Sequence, residues 1–327
     1  MKSLPKIELH HHIEGAAPPA FVRALAKRKG LDISGIFDTR GGYQYDGFLQ
    51  FLDVYQAATA PLKTPRDYAD LATAVLEEAA GHGVVYLESF LSPDFCGGRD
   101  VGAWKEYLHA MRDAAEAAEA HGITLRGIVT CIRHFGPEAA AETARCAQET
   151  AGDWVVGFGM GGDENAYSAG DFAYAFDMAR EAGLRLTSHA GEWGGPGEIR
   201  DTLSHLKVER IGHGVQAIDD PALVDRLAET GVVLEVCPGS NVALGVYPDI
   251  KAHPIQRLRE AGVKVTVSTD DPPFFHTTMT REYEELARAF GWDEGDFADL
   301  NKVALEAAFC DDKTRARIAE KLEPTDV

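Results

Sequence analysis

Residues 7–18 read IELHHHIEGAAP, and they decide between the two usual ways of laying parallel strands among helices. Ile7 and Leu9 alternate with polar neighbours, the period-two pattern of a short strand whose side chains point to opposite faces in turn. A doubly wound sheet normally follows its first strand with a glycine-rich phosphate loop. Here the strand runs into Glu14-Gly15-Ala16-Ala17-Pro18, which is not one. Seven more apolar, β-branched runs follow, at residues 84–90 (VVYLESF), 124–132 (TLRGIVTCI), 154–162 (WVVGFGMGG), 185–192 (RLTSHAGE), 210–214 (RIGHG), 232–238 (VVLEVCP) and 263–271 (VKVTVSTDD). Most are separated by stretches such as 101–122, with apolar residues at helical spacing and a glycine at the end. Eight strands alternating with helices predict an α/β fold, a (β/α)8 TIM-type barrel.

No repeat, low-complexity tract or linker divides the chain, so residues 1–327 are expected to form a single barrel domain. The first connection, residues 16–83, is far longer than the others and reads as a helical, lid-like insertion after the first strand. Within it Phe48, Leu49, Phe51, Leu52 and Tyr55 follow an amphipathic helix pattern. Two readings fit that helix. It packs on the barrel, or it forms an apolar lid over the mouth, where Phe48 and Phe51 would touch a substrate.

A hydrophobic fraction of 45% and a charged fraction of 26% are those of an ordinary soluble globular protein. Lysine and arginine number 32 against 52 acidic residues, a net charge of −20 spread through the chain. Such a surface repels polyanions, so neither nucleic acid nor an anionic membrane is expected as a partner. Five widely spaced cysteines without a CxxC pair point to reduced thiols in a cytoplasm. No signal peptide or membrane-length apolar run is legible, and nothing in the sequence indicates the oligomeric state.

His10 and His12 would share one face of the first strand, and His11 would point away. Two imidazoles so placed can converge on one zinc ion. HHH followed by IEG also matches the end of an affinity tag running into a protease linker. Against that, Ala16 stands where such a linker carries arginine, and no longer histidine run precedes it. On the pair alone both readings stand.

Barrel enzymes place their chemistry at the C-terminal ends of the strands. Those ends carry His10 and His12, Gly161 to Glu164, His189 with Glu192, His213, Cys237 to Asn241, and Asp270-Asp271. Each has a structural explanation by itself: His189 as a satisfied core histidine, His213 as a loop histidine, Asp270-Asp271 before Pro272 as a helix N-cap. Their coincidence on one rim outweighs these, because accidental scatter would populate both ends. His10, His12, His189 and Asp270 make a zinc set with room for a water. A second metal is not expected, since the fourth strand ends in glycines where a bridging ligand would stand. One zinc per chain would bring the pKa of its water to about 7. Glu192, three residues after His189, is placed to move a proton to or from a substrate atom beside the metal.

These residues resemble the adenosine deaminase family of the amidohydrolase superfamily. KIELHHHIEG is similar to the family's opening KxELHxHxxG, and MGGDE, HAGE, RIGHG, CPGSN and STDDP resemble its later motifs in order, from Lys6 to the C-terminal helices. The family leaves the position between its two ligands free, so the resemblance makes the histidine run native. It implies zinc ligands His10, His12, His189 and Asp270, with Glu192 protonating purine N1. His213 and Asp271 would orient the attacking hydroxide, Asp271 also facing N7, and Gly162 would offer its N–H to N3, a close approach that suits glycine.

The resemblance also frames the substrate. Adenosine-specific members usually carry Asp after the second zinc histidine, where it reaches the ribose; this chain has Glu14, as adenine-specific relatives do. The adenine-specific branch tends to have Ser-Glu where this chain has Gly162-Asp163, and Asp where it has Gly212. Two features therefore favour a nucleoside and one the free base, and the expected reaction is hydrolytic deamination of adenosine, with deoxyadenosine, to inosine and ammonia. The alternatives are an adenine deaminase or a deaminase of another 6-aminopurine nucleoside, and, last, a barrel that binds metal without catalysis.

Overall fold

The computed structural model describes residues 1–323. Eight strands form one sheet in sequence order, every neighbouring pair parallel. They are β1 (Lys6–Glu8), β2 (Val84–Leu91), β3 (Thr124–Ile132), β4 (Val155–Gly161), β5 (Arg185–Ala190), β6 (Arg210–His213), β7 (Val233–Val236) and β8 (Lys264–Val267). Each overlaps the apolar run that predicted it, with β1 beginning one residue before its run and β2 ending one residue after. The circuit closes between β8 and β1 just beyond their ends, where His12 N–H donates to the Asp270 carbonyl (3.1 Å) and Asp270 N–H to that of His10 (3.2 Å). At the opposite end a side chain substitutes for strand pairing: the Asn301 amide accepts from Ile7 N–H (3.0 Å) and donates to the Pro5 carbonyl (3.0 Å).

The regular strand β1 stops at Glu8, earlier than the alternation predicts. The N–H groups of Leu9 (3.3 Å) and His10 (3.1 Å) both donate to the Ser268 hydroxyl. Two successive donors on one acceptor mark a bulge-like irregularity, and it brings Glu8 and His11 to line the same outer cavity, apart from the metal-facing histidines. His11 Nδ1 rests 3.0 Å from the Ser89 hydroxyl, so it does point away from His10 and His12.

The insertion holds helices at Pro19–Lys29, Gly47–Thr59 and Pro65–Gly81. The last is started by a reciprocal cap between Thr64 and Asp67. In helix Gly47–Thr59 Phe51 and Val54 are buried, and Phe48, Leu52 and Tyr55 pack against the core. Leu49 is 74% exposed. The apolar face is therefore i, i+3, i+4 and i+7, and Leu49, one position round, lies off it. Phe51 packs on Phe274 and Phe275, with ring centroids 5.6 and 5.3 Å apart, which ties the helix to the loop after β8.

Low in the barrel Arg210, 1% exposed, sits between Glu88 (2.7 Å) and Glu235 (2.5 Å) and over the Phe309 ring. All five cysteines are buried and unpaired. No helix among the described residues is long and apolar enough to cross a membrane.

Candidate active site

The rim residues singled out in the sequence converge. His12, Glu14, Phe48, Phe51, Gly162, His189, Glu192, His213, Asp270 and Asp271 all line one cavity at the C-terminal ends of the strands, and His10 lies buried beneath it. Phe48 and Phe51, together with Tyr55 of the same helix, are thus in its wall.

Ligand atoms of His10, His12, His189 and Asp270 lie within 4.8 Å of one another. Asp270 Oδ1 is 3.5 Å from His10 Nε2 and 3.3 Å from His12 Nε2, and His12 Nε2 is 3.3 Å from His189 Nε2. The rings are turned by their outer nitrogens. His10 Nδ1 donates to Glu235 (2.8 Å) and His189 Nδ1 to the Met160 carbonyl (2.8 Å), so each directs an Nε2 lone pair inward. Ser240 holds the far oxygen of Asp270 (2.7 Å). His10 Nε2 is buried without a hydrogen-bond partner. Inward lone pairs, a carboxylate and an orphaned acceptor fit a divalent cation; as a purely protein arrangement they would be unsatisfied.

Beside this cluster Glu192 Oε2 lies 3.7 Å from His213 Nε2, which is 3.8 Å from Asp270 Oδ2. Burial pushes the Glu192 carboxyl well up, and the charge of Asp270 adds to it. Burial and the same neighbour raise Asp271, and burial lowers His213 to about 3. A bound dication opposes the carboxyl shifts. His213 and Asp270 adopt φ of 60° and 67°, a left-handed conformation that non-glycine residues hold only where the surroundings enforce it.

Several glycines are set by this packing. A Cβ on Gly15 would fall 1.5 Å from Asp271 Oδ1, and one on Gly212 would fall 2.8 Å from the His10 ring. Gly162 has φ +103°, and a Cβ there would press on His134 at 2.8 Å.

Sequence reasoning assigned no role to the residues that hold these groups in place. Glu164 receives the backbone N–H groups of Glu192 (3.1 Å), Trp193 (3.2 Å) and Gly194 (2.6 Å), fixing the turn that carries Glu192. Asn241 reaches both Glu192 and His213. Glu164, Ser240 and Asn241 stood inside quoted motifs. Glu235 was signalled only as a carboxylate within an apolar run, and His253, which bonds Asn241, had no signal.

The sequence model of the family described as Adenosine deaminase matches residues 5–325. An adenine deaminase of Chelativorans sp. (strain BNC1) is 48% identical over 323 residues, 98% of each chain. Among solved structures, an adenine deaminase from Arthrobacter aurescens superposes with a TM-score of 0.89 at 30% identity, covering 98% of each chain. An amidohydrolase from Burkholderia ambifaria with bound Zn gives 0.86 at 28% identity, over 98% of this chain and 91% of that one.

Proposed function

The chain belongs to the adenosine deaminase family, and from that premise we propose that it is a zinc-dependent deaminase of the free base adenine, exchanging the 6-amino group for oxygen with release of ammonia. The observation that carries the choice of base is the cavity wall. Away from the metal cluster several of its polar side chains already have a protein partner: Glu14 the Tyr68 hydroxyl (3.1 Å), Ser92 the Asp94 carboxylate (3.2 Å), Thr130 the Ile128 carbonyl (3.1 Å) and His134 the Asp163 N–H (3.4 Å). Phe48, Phe51, Leu52, Phe90, Phe95 and Ile132 make up much of the rest. A ribose hydroxyl buried against this largely apolar wall without a partner would cost about 1–3 kcal/mol. Relatives named adenine deaminase over the full length support the same choice.

The expectation of a nucleoside rested on Gly162 and Gly212, and it gives way to the free base. Each glycine has a local cause, the positive φ and His134 for one and the His10 ring for the other, so neither speaks for a sugar. Glu14 is 2% exposed, and burial raises its carboxyl to about 8. Burial thus favours its neutral form in the cavity wall.

His10, His12, His189 and Asp270 would hold the zinc, which when bound supplies Lewis acidity and brings a water's pKa near neutrality. Glu192, whose carboxyl burial pushes well up, delivers its proton to N1 as C6 becomes tetrahedral. His213 and Asp271 orient the oxygen that adds to C6, and Gly162 offers N–H to N3. The engaged aromatic wall excludes water. Ammonia release from adenine, adenosine and deoxyadenosine tests the choice of base. We expect kcat/KM to favour adenine by about a hundredfold or more, the equivalent of roughly two unpaired hydroxyls. Equal or faster turnover of adenosine would overturn it.

A further inference from the structure

His253 is 2% exposed and lies outside the cavity wall, twelve positions beyond Asn241 in the chain. The backbone N–H of Ile255 can only donate, and it points at His253 Nδ1 from 3.2 Å. Nδ1 is therefore a lone pair. Burial holds the ring's pKa down to about 3, so the ring is neutral and its one proton sits on Nε2. That Nε2–H lies 3.1 Å from the Asn241 side-chain oxygen. An amide nitrogen in that place would set donor against donor, so the orientation of Asn241 follows from a backbone N–H and does not rest on an arbitrary amide assignment. The Asn241 nitrogen then faces the site, 3.4 Å from Glu192 Oε1 and 3.3 Å from His213 Nδ1. A donor at Nδ1 requires a lone pair there. The His213 proton is left on Nε2, which is buried without a protein partner and faces the metal cluster.

We propose that His253 is a positioning residue that acts through Asn241 to hold His213 in its Nε2–H tautomer, so that His213 donates a hydrogen bond to the oxygen adding at C6 and does not take a proton from it. The proposal rests on the deaminase reading for the identity of that oxygen; the tautomer itself does not. A relay of this kind separates two duties. His213 steadies the oxygen as a donor, in the same cavity wall as Asp271, whose Oδ1 is buried and unpartnered. Glu192 keeps its own proton for N1. In the other tautomer His213 would present a lone pair to an oxygen that needs a donor.

The test uses the zinc-loaded protein labelled with [15N]histidine. Long-range proton–nitrogen correlation spectra report which ring nitrogen carries the proton, and His213 is identified by the signal lost in His213→Gln. The wild type should show His213 protonated at Nε2 and bare at Nδ1. His253→Phe removes the donor to Asn241 and should shift or mix that pattern, lowering kcat by about 10- to 100-fold, the range usual for groups that orient another side chain, with KM and zinc content unchanged. His253→Gln keeps an N–H near the Nε2 position and should restore both. Asn241→Asp offers only acceptors and should draw the proton to Nδ1. A wild-type ring protonated at Nδ1, an unaltered pattern in His253→Phe, or a glutamine variant no better than phenylalanine would overturn the proposal. If the protein fails to deaminate adenine, the spectra still decide the tautomer.

Discussion

Replacing Glu235 by glutamine should weaken the metal site from a position that touches no metal. The carboxylate is fully buried; it accepts from His10 Nδ1 (2.8 Å) and the Thr187 hydroxyl (3.0 Å) and forms an ion pair with the Arg210 guanidinium at 2.5 Å. Burial opposes its ionisation, but Arg210 and His10 more than offset this and hold its pKa below the usual carboxylate range. Glutamine keeps the shape with one acceptor and one donor. Charge-assisted hydrogen bonds are roughly twice as strong as neutral ones, so Arg210 should win the remaining oxygen and the NH2 group should face His10. His10 must then carry its proton on Nε2, which removes the lone pair aimed at the metal. Outer groups of this kind are worth about 10- to 100-fold in metal affinity, roughly 1.4 to 2.7 kcal/mol. Arg210 keeps only Glu88, and removing one partner of a buried ion pair costs about 3–5 kcal/mol of folding stability. Competition against a chromophoric chelator gives the zinc Kd, and urea unfolding of the metal-free protein gives the stability. Glu88→Gln is the control, because it contacts Arg210 and not His10: it should lose stability and keep its zinc affinity. A Glu235→Gln protein that binds zinc within threefold of the wild type would refute the argument.

Glu192→Gln should retain zinc and fold yet lose about 10² to 10⁴ in kcat, since glutamine cannot deliver a proton; a loss under tenfold would mean another group protonates the ring. Gly212→Ala places a methyl 2.8 Å from the buried His10 ring and should cost about 1–3 kcal/mol by overpacking, with a weaker zinc Kd, read by unfolding and chelator competition. Glu282, fully buried, is raised by burial to about 7. The folded chain then holds a proton that the unfolded chain releases above its ordinary pKa of 4.5, so this group's contribution is fully present below pH 4.5 and is lost as pH rises to about 7. Urea unfolding across that window should show Glu282→Gln losing less stability with rising pH than the wild type, and parallel slopes would count against the shift.

The sequence by itself determined the barrel and its rim. Hydrophobic periodicity is local, so eight β-branched runs between helical stretches located every strand from β1 to β8, and reading only their C-terminal ends picked out His10, His12, His189, Glu192, His213 and Asp270. Tertiary structure alone decided what those residues are held by. Glu235, Glu164, Asn241 and His253 come from four separate parts of the chain, and no local pattern records that their hydrogen bonds meet at one site. The two glycines say less about the substrate than they first offer, for a related reason. Gly162 and Gly212 read as statements about a ligand, whereas φ at one and the His10 ring beside the other require glycine whatever is bound. A sequence shows which side chains are available at each turn of the chain; the space around them, and the partners that fix each proton, exist only once strands distant in sequence have closed into a barrel.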